Sequence, residues 1–252
     1  MSPDLKLAIF SDVHGNPAAL DAVLRDIEAQ GGVDGYWIVG DFSALGYDPV
    51  TPLERITALD NVTVVRGNTD RFTVADDLGL PTREALDDDP DLLRRHVHIV
   101  SSFSWTRGYI TAHGWYDWLA ALPLEQRLTL PDGTRLLAVH ASPGQDSGPG
   151  LAPDMTDDEV RDRFAGSDAD LVVVGHTHLA HDRRIDGLHL VNLGSVSNPP
   201  TPDRRAHYVL LEADADGYRL ESRRAAYDIP AMIDAARRVH HPAEDYFLHF
   251  FA

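Results

Sequence analysis

The chain has 252 residues, of which 43% are hydrophobic and 25% are charged. Asp and Glu number 40 against 22 Lys and Arg, which gives a formal net charge of −18. Such a chain repels polyanions, so we expect no binding to long nucleic acid or to an anionic membrane. It contains no cysteine, which excludes disulfides, thiolate metal sites and cysteine nucleophiles. Neither a membrane-spanning segment nor a secretion signal is recognisable, so we expect a cytoplasmic protein.

The first forty residues predict a strand, a helix and a second strand. Residues 5–10 form a short apolar run of strand length. Asn16 and Pro17 then supply a helix N-cap and first turn, and apolar residues three or four apart continue the helix as far as Gly31. A second strand is predicted at 36–39, and right-handed crossover makes the two strands parallel.

The same alternation continues along the chain, with later strands that resemble antiparallel meanders. Helices are predicted at 53–59 and 157–164, and further strands at 62–65, 135–139, 171–174, 188–193, 206–211 and 218–226. The pattern indicates the α/β class, with two sheets covered by helices.

We expect a single domain over 1–252, because neither an internal repeat nor a linker is apparent. Residues from about 71 to 127 interrupt the rhythm, and we interpret them as a mostly helical insertion over the site or, equally, as a helical layer of the core. From about 229 the chain predicts a helical tail. Its apolar end, 246–251, is expected to dock onto the body or onto a partner subunit, which leaves a homo-oligomer open.

Metal-ligand residue types stand at the ends of successive predicted strands. They are Asp12 and His14 after the first strand, Asp41 after the second, Asn68 after the third, His140 after the fourth, and His176 with His178 after the fifth. Each of them alone is more typical of a turn or of a satisfied histidine. Sites in open α/β sheets lie beyond the carboxyl ends of the strands, so these side chains should converge. The joint pattern predicts metal binding.

These blocks resemble the five motifs of calcineurin-like metallophosphoesterases, and most closely those of the small bacterial phosphodiesterase-like branch. The matching blocks are SDVHGN at 11–16, GD at 40–41, GNTD at 67–70, HAS at 140–142, GHTH at 175–178 and NLGS at 192–195. The resemblance implies a four-layer αββα sandwich of two mixed β-sheets flanked by helices, with a two-metal centre. It implies that Asp12, His14 and His178 hold one metal and that Asn68, His140 and His176 hold the other.

The same resemblance makes Asp41 the bridge between the metals, and the residue chemistry agrees. Two divalent cations about 4 Å apart need a shared anionic ligand, and a hydroxide between them could attack phosphorus in line. On this hypothesis Asp41, Asn68 and His140 are catalytic through the metal-bound hydroxide. A nitrogen and oxygen ligand set without thiolate suits manganese, our first choice, or iron or zinc.

Three further residues are candidates for contacts with the substrate. Thr69 stands where many relatives carry histidine or cysteine, and its hydroxyl donates a hydrogen bond but does not act as an acid near neutral pH. Poor leaving groups would therefore be cleaved slowly. Arg71 could clamp a phosphate, or be an ordinary paired arginine. His113 could face the cleft, although a surface or core histidine is the more common case.

The leading functional hypothesis is a dinuclear phosphoesterase acting on a small phosphodiester or on a nucleotide phosphoanhydride. Within the enzyme class, a dinucleoside-polyphosphate hydrolase and a protein phosphatase are alternatives. A catalytically weak or inactive metal-binding scaffold of the same fold is the alternative from another class. The expected partner is a small phosphate ester rather than a macromolecule.

Overall fold

The computed structural model describes residues 3–75, 77–78, 81–89 and 91–251. The strands in this part of the chain are β1 (Leu5–Phe10), β2 (Gly35–Val39), β3 (Val62–Val65), β4 (Glu125–Thr129), β5 (Arg135–Val139), β6 (Leu171–Val174), β7 (His181–Ile185), β8 (Leu188–Asn192), β9 (Ala206–Asp214) and β10 (Gly217–Ala225). The helices are α1 (Pro17–Ala29), α2 (Thr51–Thr57), α3 (Asn68–Val74), α4 (Arg83–Asp88), α5 (Leu92–Ala112), α6 (Tyr116–Ala120), α7 (Asp157–Phe164), α8 (Ile229–Arg238) and α9 (Glu244–Leu248). A 3₁₀ turn at His249–Phe251 follows α9.

The strands form two mixed sheets of five strands each. The first sheet has the order β10-β9-β1-β2-β3 and the second has the order β4-β5-β6-β8-β7. β1, β2 and β3 are parallel, as are β5, β6 and β8, whereas β9–β10 and β7–β8 are antiparallel pairs. The predicted fold class is therefore confirmed.

Alternation along β1 separates two cores. Leu7 and Ile9 pack between the sheets, against residues such as Leu171 and Val173 of β6. Ala8 and Phe10 point the other way, into a core that includes the buried face of α1. On the far side, α7 packs Val160 and Phe164 onto the outer face of the second sheet. Because side chains alternate with period two, each sheet buries both faces, which produces four layers.

Two edge strands, β4 and β7, were not expected from the sequence. Both are rich in polar and charged residues, with sequences EQRLT and HDRRI. Each lies at one edge of the second sheet, where one side of the strand is unpaired. An edge strand buries less surface than a central one, so its sequence lacks the apolar run that marks a central parallel strand.

Between β3 and β4 the described residues include the four helices α3 to α6. Trp115 and Trp118 of this region pack against the core that contains Phe42, so these aromatic rings serve packing. At the other end of the chain, Phe247 is buried with Tyr47 and Met232. The apolar end of the tail thus docks onto the body. No helix in the described ranges is long and apolar enough to cross a bilayer.

Candidate metal centre

The seven metal-ligand candidates lie together beyond the carboxyl ends of parallel strands. They follow β1 (Asp12 and His14), β2 (Asp41), β3 (Asn68), β5 (His140) and β6 (His176 and His178). Asp12, His14, Asp41 and His140 are at most 2% exposed. Asn68, His176 and His178 are partly exposed, so the cluster opens to solvent on their side.

The carboxylate of Asp12 is surrounded by imidazole nitrogens yet accepts no hydrogen bond at one oxygen. Asp12 Oδ1 is buried without a hydrogen-bond partner. The Nε2 atoms of His178, His14 and His140 lie 3.0, 3.7 and 3.9 Å from it. A buried polar atom without a partner is costly, and a cation held by Asp12, His14 and His178 would satisfy this oxygen. The residues present therefore fit a metal site.

Backbone carbonyl oxygens orient three of the imidazoles. The Nδ1–H groups donate to the carbonyls of Ala44 (His14, 2.9 Å), Val39 (His140, 2.7 Å) and Asn198 (His178, 3.3 Å). A carbonyl accepts but cannot donate, so Nδ1 carries the hydrogen and Nε2 faces the centre. His14 Nε2 and His178 Nε2 consequently lie 3.1 Å apart with their lone pairs converging, as two ligands of one cation do.

A second set of ligand atoms converges on the amide oxygen of Asn68. His140 Nε2 lies 3.1 Å from Asn68 Oδ1, and His176 Nδ1 lies 2.9 Å from the same oxygen. His176 donates its other ring nitrogen, Nε2, to the carbonyl of Gly148 at 2.7 Å. The ring of His176 is thereby oriented, and Nδ1 is left as its ligand atom.

Asp41 lies between the two sets. Its Oδ2 is 3.4 Å from His140 Nε2 and 3.7 Å from His14 Nε2, while Oδ1 accepts the backbone N–H of Thr69 at 2.9 Å. The carboxylate of Asp70 accepts the backbone N–H groups of Asp41 and Phe42, at 2.8 and 2.9 Å, and that of Gly67 at 2.8 Å. Asp70 thus fixes the turn before Asn68 to the turn that carries Asp41.

The buried carboxylates in the cluster stabilise a positive charge next to them. Burial alone raises the pKa of Asp41, but the adjacent His140 outweighs it and brings the pKa down to about 2. Burial lowers the pKa of His140, yet Asp41 and Asp12 raise it to about 10. Burial beside Asp41 raises the pKa of Asp70 to about 7, against three N–H donors that lower it. A proton on His140 supplies the positive charge here, and divalent cations compete for the same position.

Five of the seven candidates have left-handed backbone conformations. The φ angles are 60° at Asp12, 45° at His14, 59° at Asp41, 69° at His176 and 59° at His178. Such values are uncommon for residues other than glycine and cluster at functional sites. They turn each side chain inward immediately after its strand ends.

Two glycines allow close approach of the turns. A Cβ atom at Gly67 would lie 2.0 Å from Asp41 Oδ1, and one at Gly175 would lie 2.5 Å from Asp12 Oδ2. No side chain fits at either position, which gives a physical reason for glycine directly before Asn68 and His176.

The loop after β8 supports the histidine pair from behind. Asn192 Nδ2 donates to the carbonyls of Gly175 and Leu151, at 2.8 and 3.0 Å. Ser195 Oγ donates to the carbonyl of Asp12 at 3.0 Å. These bonds connect the turn that carries Asp12 with the turn that carries His176, which gives a structural reason for the NLGS block at 192–195.

The three substrate candidates are found in different surroundings. Thr69 is 5% exposed, and its hydroxyl is buried without a hydrogen-bond partner. Arg71 is paired with Asp146, through Nε at 3.0 and 3.1 Å, and with Asp77. His113 is exposed at the end of α5, where its Nδ1 contacts the Tyr109 carbonyl and its ring stacks on Tyr109.

Sequence reasoning missed Arg66 and Asp146. Arg66 Nε donates to Asp146 Oδ2 at 2.9 Å, so Asp146 receives two arginines. Arg66 directly precedes the GN pair, which could have marked it. Asp146 lies in an irregular loop rich in Pro and Gly, where no periodicity indicates a side-chain direction.

A family model for the calcineurin-like phosphoesterase superfamily domain matches residues 5–216. The chain belongs to this superfamily. The match spans every ligand candidate and both sheets, apart from β10. The family predicted from the motif blocks is confirmed. Membership of a phosphoesterase superfamily indicates a hydrolase, and the chain has candidate metal-binding residues.

The chain is also similar to individual proteins in sequence or in fold. The chain is 30% identical over 240 residues to an uncharacterized protein of Methanocaldococcus jannaschii, with 88% of each chain covered. Among solved structures, it is similar to a metallophosphoesterase from Sphaerobacter thermophilus, with TM-score 0.74, 26% identity and 98% of each chain covered. It also shares its fold with a hypothetical protein from Pyrococcus horikoshii, with TM-score 0.78, 21% identity and 96% of each chain covered.

Proposed function

We propose that this protein is a metal-dependent phosphoesterase that hydrolyses a small phosphodiester or a nucleotide phosphoanhydride with two divalent cations. The observation that carries the proposal is the convergence of ligand atoms around Asp12, Asp41 and Asn68 described above. One set contains Asp12, His14 and His178, and the other contains Asn68, His140 and His176. Manganese is the metal we expect to support activity, with iron and zinc as alternatives.

When bound, the two cations would supply positive charge that lowers the pKa of an attacking water and offsets the charge of the phosphate. The protein's own residues perform the positioning. Asp41 lies between the two ligand sets and is held by the Thr69 N–H at 2.9 Å. His140 and His176 are oriented by backbone carbonyls. The unpartnered hydroxyl of Thr69 is available as a donor to a phosphate oxygen.

The experiment is hydrolysis of bis(p-nitrophenyl) phosphate by protein reconstituted with Mn²⁺, together with metal analysis. We expect about two metals per chain and turnover that Asp41→Asn and His140→Ala each reduce at least a hundredfold, because both changes remove a buried ligand. Matched controls are Asp158→Asn, on a side chain that is 92% exposed, and His249→Ala, at an exposed site. Both should retain wild-type rates.

Activity that survives Asp41→Asn and His140→Ala would refute the assignment. Two bound metals without turnover of any phosphate ester or anhydride would instead favour the scaffold alternative.

A further inference from the structure

Two arginines on either side of Asn68 are fixed on one buried carboxylate. Arg66 precedes Asn68 by two residues and Arg71 follows it by three. Arg66 Nε lies 2.9 Å from Asp146 Oδ2, and Arg71 Nε lies 3.1 and 3.0 Å from Asp146 Oδ1 and Oδ2. The Asp146 residue is 5% exposed, whereas the two arginine side chains are 27% and 23% exposed. Asp146 and Asp77 together balance the charge of the two guanidinium groups, and a surplus of one positive charge arises when the more exposed Asp77 is displaced.

This arginine pair, Arg66 and Arg71, lies on the open side of the ligand cluster. Asp146 stands two residues before Gly148, whose carbonyl accepts His176 Nε2 at 2.7 Å. The other nitrogen of His176 lies 2.9 Å from Asn68 Oδ1. The loop that carries Asp146 is therefore held against the partly exposed Asn68–His176 side, and the arginine pair is held with it.

Much of the hydrogen-bonding capacity of the pair is unused. Asp146 occupies the Nε positions. Arg66 Nη1 and Nη2 make no hydrogen bond to the residues that the structure describes, and Arg71 Nη2 donates to Ser147 Oγ at 3.4 Å. Arg71 Nη1 meets Asp77, whose side chain is 37% exposed. An exposed carboxylate is readily displaced by a phosphate, which accepts a guanidinium through two parallel hydrogen bonds.

We propose that Arg66 and Arg71 form a subsite for a second phosphate, so that the substrate class is a phosphoanhydride rather than a simple diester. This inference rests on the proposed function, because it places the phosphate under attack at the ligand cluster. An oxygen–phosphorus bond forms from water, and the bridging P–O bond breaks. Its electron pair leaves with the second phosphate. One proton of the water passes to solvent, and the other stays on the product phosphates. The arginine pair then neutralises charge that develops on the leaving phosphate.

Thr69 supports this choice independently. Its hydroxyl is unpartnered and close to the ligands, but it does not supply a proton near neutral pH. An alkoxide leaving group needs that proton. A leaving phosphate is a weak base and departs without one, so an anhydride is compatible with threonine at this position.

The test compares a substrate that has one phosphate with a substrate that has two. Wild type, Arg66→Gln, Arg71→Gln and the double variant are assayed with Mn²⁺ on bis(p-nitrophenyl) phosphate and on ADP. We expect kcat/KM for ADP to fall at least tenfold in each single variant, while the diester rate stays within threefold. Arg66→Lys keeps the charge but loses the planar fork, so an intermediate loss is expected. Arg205→Gln, at an exposed arginine paired with Asp203, is the matched control and should change neither rate.

A binding measurement separates the subsite from catalysis. Adenosine 5′-(α,β-methylene)diphosphate should bind at least tenfold more tightly than AMP to the wild type, and Arg66→Gln should remove that difference. Arg66→Gln leaves Asp146 paired with Arg71, so this variant should fold even where the double variant does not.

Equal losses on both substrates would mean that the arginine pair only secures the loop, which overturns the subsite. Diester hydrolysis with no ADP turnover and no preference for the methylene analogue would overturn the subsite and leave the proposed function standing. If neither substrate is hydrolysed, the proposed function fails, and the binding ratio alone then decides the subsite.

Discussion

The hydroxyl of Thr69 is the residue-scale feature that most directly concerns reaction chemistry. The backbone of Thr69 is secured, since its N–H donates to Asp41 and its carbonyl accepts Thr73 Oγ1 at 2.7 Å. The hydroxyl itself is buried and has no hydrogen-bond partner among the described residues. Its desolvation is uncompensated within the protein, which is typical of a group that functions toward a ligand.

Thr69→Val removes this hydroxyl with little change of shape. If the hydroxyl donates to the phosphate, kcat should fall about tenfold, the equivalent of one hydrogen bond worth roughly 1.4 kcal/mol. The free energy of unfolding should stay level or rise, because an unsatisfied buried group has been deleted. Urea unfolding and steady-state kinetics measure the two effects. Thr73→Val, one turn further along α3, is the control and should lower stability without a specific effect on kcat. An unchanged kcat in Thr69→Val would mean that the hydroxyl does not touch substrate.

At the scale of elements, the central strands and the residues at their ends were predictable from the sequence, whereas the edge strands β4 and β7 were not. β1, β2, β5 and β6 are short apolar runs closed by glycine or by polar ligands, so both the strand and the site at its end could be predicted. β4 and β7 are polar because an edge strand has solvent on one side. Carbonyl partners such as Val39 and Gly148 were not predictable, since a carbonyl leaves no trace in the sequence.

The C-terminal tail, from α8 to the 3₁₀ turn, supports the turn that follows Asp41. Phe247 is 1% exposed and packs with Tyr47, which lies in that turn. The ring of His241 lies edge-on to Phe247 at 5.2 Å and to Trp105 of α5 at 4.5 Å. The tail thus connects α5 with the segment that carries the Ala44 carbonyl, the partner of His14.

Phe247→Ala should therefore destabilise the whole molecule. Deleting a buried phenyl ring typically lowers the free energy of unfolding by about 3–5 kcal/mol, and we expect a loss in this range because Phe247 is well packed. Urea unfolding followed by tryptophan fluorescence measures the change. Phe251→Ala, at a partly buried position, should cost clearly less. If the Phe247→Ala midpoint equals that of the wild type, the tail unfolds separately from the body.

At the scale of the molecule, acidic side chains are distributed over the surface, and some of them are paired with arginines. Arg135 meets the carboxylates of both Asp168 and Asp170, and Arg161 meets those of Asp158 and Asp186. Such exposed pairs leave the surface negative and contribute little stability. The net charge of −18 therefore says nothing against a phosphate ligand at the centre, where buried carboxylates hold positive charge.

Two buried histidines predict acid sensitivity of the whole fold. Burial, with Arg224 nearby, lowers the pKa of His207 to about 4, and burial lowers that of His241 to about 4. In the unfolded chain both titrate near 6.5. Between these values the unfolded state binds protons that the native state does not, so the stability contributed by these two histidines is complete above pH 6.5 and is lost as the pH drops toward 4. Asp70, whose pKa is raised to about 7 in the native state, opposes part of this loss.

The expected slope is at most about 1.4 kcal/mol per pH unit for each histidine. Urea unfolding at pH 7.5, 6 and 5 measures it, and His207→Gln should lower the slope by about half of the histidine contribution. His249→Ala, at an exposed histidine, should leave the slope unchanged. A slope that His207→Gln leaves unchanged would contradict the assignment.

The left-handed turns at Asp12, His14, Asp41, His176 and His178 also bear on how such a centre is lost in evolution. Alanine at one of these positions keeps the strained backbone, whereas glycine relaxes it by about 1 kcal/mol. Asp12→Gly should consequently unfold at higher urea than Asp12→Ala, although both lose the ligand. Once selection for metal is released, stability alone drives such positions toward glycine. Descendants that retain the fold without the chemistry should then be recognisable by glycines where the ligands once stood.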